Sequence, residues 1–180
     1  PHSKSSKPTN PEIDDEGREL TAEYDDFRLV SAYFPSGTTG DLRQDMKMKF
    51  LDHFLQFAMD IKRDGKPTII AGDFNICHLD IDIHNPDKQH KTSGFLPEER
   101  AWVTQLLSIG YEDAFRKIHP TLTNAYSWWS YRAGAKARNK GWRIDYHMVS
   151  DTVVGRILEA KIESKWNMSD HAPVTITYRF

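Results

Sequence analysis

Pro67-Thr68-Ile69-Ile70-Ala71-Gly72-Asp73-Phe74-Asn75 is the stretch that decides the fold. A short, β-branched apolar run ends in Gly, and an Asp and an Asn follow two residues apart. Thr68–Ala71 reads as a strand covered on both faces, because such a strand need not alternate. Gly72 is expected to let the backbone turn as the strand leaves the core. Residues i and i+2 of a strand share a face, so Asp73 and Asn75 should project together. A carboxylate and a carboxamide on a rigid support form a candidate catalytic group. The same two residues could equally close a turn.

Upstream, Asp41–Lys62 reads as a helix, with Met46, Phe50, Phe54, Phe57 and Ile61 at spacings of three and four forming its core stripe. Asp64-Gly65-Lys66-Pro67 ends it. Before it, Leu20, Ala22 and Tyr24 share one face of a strand, Asp25-Asp26 turns, and Phe27–Phe34 returns as the second strand of a hairpin. Tyr33 falls at the end of that strand. A helix joining a strand that ends at Tyr33 to one that ends at Asp73 is a crossover unit of an α/β layering.

Downstream, residues 78–96 carry His78, Asp80, Asp82, His84, Asp87 and His90 without a tight repeated spacing, and read as a solvated loop rather than a metal site. Pro97 begins a helix that runs to about Ser108 and stops at Gly110. Asp113–Lys117 adds a short helical turn. Gly141–Ser150 is a strand with Ile144, Tyr146 and Met148 on one face and Asp145 and His147 on the other. Val153–Ser164 and Ala172–Phe180 read as two more strands, and Ser169-Asp170-His171 lies between them. Residues 1–15 are polar, without periodicity, and read as an irregular lead-in to one domain over 16–180.

Composition narrows the function. With 24 Lys and Arg against 26 Asp and Glu the net charge is −2, so the chain is no polycation and any nucleic-acid contact must come from a local patch. That patch is present. The aromatic block 125–131 leads into 132–143, where Arg132, Lys136, Arg138, Lys140 and Arg143 occur with no acid, broken by Gly134 and Gly141. Cations neutralise phosphates while rings stack on or wedge between bases. The same residues also read as a solvated charge run beside core tryptophans. No run of ~18 apolar residues suits a membrane span. The lone Cys77 reads as packing and suits a reducing cytosol, so a cytoplasmic location is expected.

The polar strand ends Tyr33, Asp73, Asn75, Asp145, Asp170 and His171 could converge, as sites in α/β folds do. Here GDFN (72–75), GWRIDY (141–146) and SDHAP (169–173), with EGR (16–18), AYFPSG (32–37), GFLPEER (94–100) and YSWWSYR (126–132), resemble the exonuclease III/AP endonuclease family. That family belongs to the endonuclease/exonuclease/phosphatase fold shared with DNase I. The resemblance runs from about Glu16 to Phe180. It implies an α/β fold, a two-layer β-sandwich flanked by helices in four layers, here incomplete at the N-terminus. It implies that Asp73 activates the attacking water or handles the leaving-group proton, that Asn75 positions Asp73, and that Asp145 orients a protonated His171 toward the scissile phosphate. Tyr33 would donate to a phosphate oxygen and Asp170 would lie at or beside a divalent metal, Mg²⁺ or Mn²⁺. Trp128, Trp142 and Ile144 match positions that wall the pocket for an extrahelical abasic sugar. Lys136, Arg138, Lys140 and Arg143 are expected to contact DNA.

The expected activity is Mg²⁺-dependent hydrolysis of the DNA backbone 5′ to abasic sites, with trimming from 3′ ends, by a monomer acting on double-stranded DNA. A phosphatase acting on a phosphorylated lipid or inositol, and an inactive DNA-binding fragment, are the rival readings. Family members also carry an upstream segment with an Asn and a metal-binding Glu, and neither motif occurs in this sequence. The chain is therefore read as about the C-terminal two-thirds of such an enzyme, with little nuclease activity until that carboxylate is supplied.

Overall fold

The computed structural model describes residues 17–180, so the expected lead-in at 1–15, and Glu16, lie outside the described residues. The elements in chain order are β1 (Glu19–Glu23), β2 (Arg28–Tyr33), α1 (Asp41–Lys62), β3 (Thr68–Asp73), α2 (Pro97–Ser108) and β4 (Tyr111–Asp113). They continue with α3 (Ala114–Ile118), β5 (Asp145–Ser150), α4 (Asp151–Val154), β6 (Ile157–Ile162) and β7 (Val174–Tyr178). Five strands form one sheet in the order β1-β2-β3-β5-β4, and β6 and β7 form a second. Among the described residues only β2 and β3 run parallel, joined through α1 as the crossover unit requires; the other neighbours are antiparallel.

The core explains the layering. One face of the large sheet presents Val30, Ala32, Ile70, Tyr146 and Met148 to Phe50, Leu51, Phe54 and Ala58 of α1 and to Trp102, Val103 and Leu106 of α2. The opposite face packs Ile69 and Val149 against Ile157, Ile176 and Tyr178 of the small sheet. Two stacked sheets with helices on the outside of the larger one are thus the α/β architecture expected.

Details differ from the sequence reading for physical reasons. The buried stripe of α1 is Lys47, Phe50, Leu51, Phe54 and Ala58, rotated by about one residue, and Met46 is exposed. Gly72 is not a turn but an interior position of β3: a Cβ there would sit 1.8 Å from the Ala32 carbonyl oxygen, so the parallel pairing to β2 requires Gly. The strand β4, only three residues long, is too short to show as a pattern in the sequence. Val153 belongs to the short helix α4, and its following strand begins only at Ile157.

The loop 78–96 is not uniformly solvated. Asp82 is fully buried between two arginines, Arg143 (Nε 2.7 Å away) and Arg116. Arg143, expected at the DNA surface, is itself fully buried, and its Nη2 also meets Asp113 at 2.7 Å. That corrects its assignment: a guanidinium enclosed by two carboxylates and stacked on Tyr146, 4.5 Å from the ring centre, has no face left for a phosphate. Cys77 is buried in packing as expected, its thiol donating to the Asp82 carbonyl.

Candidate active site

The parallel and antiparallel registers bring three strand ends side by side. Tyr33 pairs with Asp73 across β2 and β3, and Asp73 pairs with Asp145 across β3 and β5. Beyond Asp73 the strand stops, and Asn75 adopts a left-handed conformation with φ 51°. Strand alternation therefore does not place Asn75; the turn does. It folds back so that its backbone N–H donates to Asp73 Oδ1 at 2.8 Å and its side-chain amide to Asp73 Oδ2 at 3.1 Å. The same amide donates to the Phe34 carbonyl at 3.0 Å, which fixes its orientation. The Asp73 carboxylate is thus locked in one rotamer.

His171 arrives from the segment before β7. It is held by a stitched backbone in which the Ala172 N–H donates to the Ser127 carbonyl and the Trp129 N–H to the Asp170 carbonyl. Its Nδ1 lies 3.0 Å from Asp145 Oδ2 and 3.2 Å from Oδ1, so Asp145 holds the ring in place. Nε2 then points toward Asp73 Oδ2 across 4.0 Å. That gap is too long for a direct hydrogen bond and leaves room for a shared oxygen between them. Ser127, absent from the residues singled out by sequence, accepts from the Ile144 and Asp145 N–H groups at 3.1 and 3.2 Å, and so sets where Asp145 begins. No local pattern marks it, since its role comes from residues 17 and 18 positions away.

The electrostatics separate the partners. Burial pushes the Asp73 carboxyl up to about 7, with the neighbouring charge of Asp145 acting in the same direction. Burial opposes a charged His171, but the hydrogen bond and charge of Asp145 outweigh it and the imidazole is held above its ordinary value. Burial would raise Asp170 as well, yet its hydrogen bond from the Trp128 indole outweighs that and lowers it.

A cavity of about 490 Å³ opens on this cluster. Asp73, Asn75, Asp170 and His171 form its polar wall, and Tyr33, half exposed, stands at its rim. Trp128, Trp142 and Ile144 form the apolar wall, the two indoles meeting edge to face with ring centres 6.2 Å apart. Lys140 also lines it. Arg138 is exposed, donating to the Ala133 carbonyl. Lys136 lies elsewhere: its ammonium donates to the Trp166 carbonyl, stands 5.0 Å above the Trp129 ring, and lines a separate groove.

Among the described residues, Asp73, Asp145 and His171 form a group that could hold a metal ion. Their chemistry discriminates further. His171 favours its proton and Asp145 is engaged with it, which leaves oxygen donors as the fitting set, and oxygen is what a hard divalent cation takes. Burial, and after it the charge of Asp145, disfavours the ionised Asp73, a penalty that a nearby cation would reduce. Asp170 opens on the same cavity, one of its oxygens occupied by the Trp128 indole at 3.0 Å.

Residues 3–171 match the sequence model of the endonuclease/exonuclease/phosphatase family. The chain belongs to that family. It is 40% identical over 165 residues to an exodeoxyribonuclease of Bacillus subtilis, covering 92% of this chain and 65% of that protein. It is 39% identical over 165 residues to the DNA repair nuclease APEX1 of Danio rerio, covering 92% of this chain and 53% of that one. The chain thus spans 65% and 53% of the length of these two relatives. Among solved structures, a 3′ phosphatase from Neisseria bound to a product DNA hairpin superposes with a TM-score of 0.88 at 26% identity, covering 99% of this chain and 72% of that one. The chain therefore shares the endonuclease/exonuclease/phosphatase fold, and its strand-end cluster lies in the cavity where two indoles and a basic loop meet.

The basic loop gives a measurable expectation. Replacing Arg132, Arg138 and Lys140 together by Ala should flatten the dependence of log K on log salt, by ~0.9 for each phosphate no longer neutralised. A filter-binding titration with duplex DNA that shows the parent slope would make the loop a solvated charge run.

Proposed function

We propose that the protein is a metal-dependent DNA-repair nuclease that hydrolyses the phosphodiester 5′ to an abasic site and trims 3′ ends. The observation that carries this reading is the 4.0 Å gap between His171 Nε2 and Asp73 Oδ2, set in a cavity with an aromatic wall. Asp73, with its carboxyl at about 7, is poised near neutral pH to take a proton from a water held beside it. Asn75 keeps the carboxylate oriented, so this costs no reorganisation during reaction. The His171 imidazolium and the Tyr33 hydroxyl meet the charge that develops on the phosphate oxygens, and Asp145 keeps the imidazole protonated and aimed. The water oxygen bonds to phosphorus as its proton passes to Asp73, the P–O3′ bond breaks, and the departing oxygen takes a proton from solvent to leave a 3′-hydroxyl.

Mg²⁺, or Mn²⁺ in its place, would supply neutralisation of the phosphate and of the leaving oxygen; Asp170, which opens on the same cavity, is the residue that would help hold it, leaving Asp73 free to take the proton. Trp128, Trp142 and Ile144 would take an abasic sugar turned out of the duplex, their apolar faces lining a cavity of about 490 Å³ beside the polar cluster. Lys140 and Arg138 would hold the backbone. Among the described residues no helix is long and apolar enough to cross a membrane; a monomer working in the cytoplasm completes the proposal.

A phosphatase acting on a phosphorylated inositol or lipid is the rival within the family. The two separate in one assay of the whole protein in Mg²⁺: an abasic-site duplex should be cut at the abasic position, and inositol polyphosphates should release no phosphate. His171→Ala should lower the DNA cleavage by ~10²–10⁴-fold. Phosphate release from inositol without DNA cleavage would overturn the nuclease reading.

A further inference from the structure

Two charged side chains lie where apolar ones would pack. Lys47 is fully buried on the inner face of α1, one turn before Phe50 and Leu51, and Glu99 is as deeply buried in the first turn of α2. Their Nζ and Oε1 atoms are 2.7 Å apart. A buried ion pair adds little net stability over well-packed apolar residues, because desolvating both charges offsets their attraction. Its use is to be sought in what its other polar atoms touch.

Those atoms reach the site. Lys47 Nζ donates to the main-chain carbonyl of Asn75 at 2.8 Å. Glu99 Oε2 accepts from the N–H groups of Gly94 and Leu96 at 2.6 and 3.0 Å. Its Oε1 accepts from the Gln44 amide at 3.1 Å and from the Ser93 hydroxyl at 3.4 Å. Gly94 is wedged between two site components: a Cβ there would lie 3.0 Å from the Asn75 carbonyl oxygen and 2.9 Å from the Trp142 ring. One arm of the pair therefore ends on the peptide whose side chain locks Asp73, and the other on the loop that backs the aromatic wall. Left-handed residues persist where their surroundings over-determine them, and Asn75 at φ 51° is such a residue.

We propose that Lys47 and Glu99 are positioning residues: the pair fixes the Asn75 peptide, and through it the Asp73 carboxylate, while holding the Gly94 loop under Trp142. The kinetic consequence rests on the nuclease reading; the structural consequence does not.

The test uses Lys47→Met combined with Glu99→Gln, which removes both charges together and so leaves neither stranded, and Lys47→Arg, which keeps a cationic donor. In amide NMR spectra of the substrate-free protein, the double variant should shift the Asn75 backbone and side-chain NH₂ resonances, and Lys47→Arg should leave them near the parent positions. On an abasic-site duplex the double variant should lose ~10²-fold in kcat, the order that a misplacement of ~1 Å brings, with KM near the parent value. Lys47→Arg should recover most of that rate. Parent-like Asn75 resonances in a folded double variant would overturn the proposal, as would shifted resonances with an undiminished kcat. Should the double variant not fold, Lys47→Gln combined with Glu99→Gln takes its place: it removes both charges but keeps polar side chains, and withdraws the ammonium from the Asn75 carbonyl, so shifted Asn75 resonances are expected and parent-like ones overturn the proposal. A whole protein that cuts no DNA, as opposed to residues 1–180 alone, from which little activity is expected, removes the nuclease reading only, since the Asn75 resonances still test the positioning role.

Discussion

Asp73→Asn is expected to abolish most DNA cleavage, by ~10²–10⁴-fold, and at the same time to make the protein more stable at alkaline pH. The two effects have one cause. Burial, reinforced by the charge of Asp145, raises this carboxyl from its ordinary 3.8 to about 7. An unfolded chain releases that proton near 3.8, whereas the folded chain keeps it until about 7. Within this window the unfolded state binds fewer protons, so stability falls as pH rises through it. Above pH 7 the folded protein carries the full penalty, on the order of 4 kcal/mol. Asn keeps the shape and cannot ionise, so the variant escapes the penalty; in EDTA at pH 8 its Tm should rise by about 8–16 °C. At pH 4 the two proteins should melt alike. Added Mg²⁺ should then raise the parent Tm more than that of the variant, because the ionised Asp73 adds an attraction for a cation nearby that Asn lacks. Equal melting of parent and variant at pH 8 in EDTA would show that burial and the Asp145 charge do not penalise the ionised Asp73.

Sequence made the site largely legible because each of its polar groups ends a strand or lies in a short junction. Tyr33, Asp73 and Asp145 stand opposite one another through register alone, and register follows from the same hydrophobic pattern that shows the strands. The parallel β2–α1–β3 unit was equally readable from a helix between two apolar runs. What escaped depends on distant partners. Ser127 is an ordinary Ser whose hydroxyl happens to meet two N–H groups of the segment leading into β5. Lys47 did leave a signal, since it precedes Phe50 and Leu51 by three and four residues and so stands on the buried face. Assigning that stripe to Met46 hid it. Asn75 reached the expected place by a left-handed turn rather than by strand alternation, so the right residue came from an incomplete reason.

Arg143 shows where a sequence pattern misleads and where structure predicts a second large effect. Within a run of cations it is indistinguishable from Lys140, yet Lys140 is exposed and Arg143 is fully buried. The difference lies in Asp82 and Asp113, which are 61 and 30 residues away in sequence. Nε and Nη2 of Arg143 reach both oxygens of Asp82 at 2.7 and 3.1 Å, Nη2 meets Asp113 at 2.7 Å, and Arg116 Nε closes the group on Asp82 at 3.0 Å. Among the described residues, Arg143→Met removes the one cation that reaches Asp113 and leaves Asp82 with Arg116 alone. Breaking a buried pair in this way costs about 3–5 kcal/mol, which for a chain of this size lowers Tm by about 6–20 °C. Lys140→Met should change stability by no more than about 0.5 kcal/mol, since nothing buried depends on it. Acid should act in the same direction. Burial would raise Asp82, but the arginines outweigh it and hold the carboxyl below its ordinary 3.8, so its contribution is present above that value and lost as pH falls through the lowered one. The parent should therefore unfold steeply in acid, and Arg143→Met should unfold less steeply there because part of that linkage has gone. The site should feel the loss as well, because Arg143 stands two residues before Asp145 and its carbonyl accepts from the Tyr146 hydroxyl at 3.2 Å. Thermal melts of the two variants at pH 7 decide the matter: equal Tm values would mean that Arg143 is not the cation holding this core together.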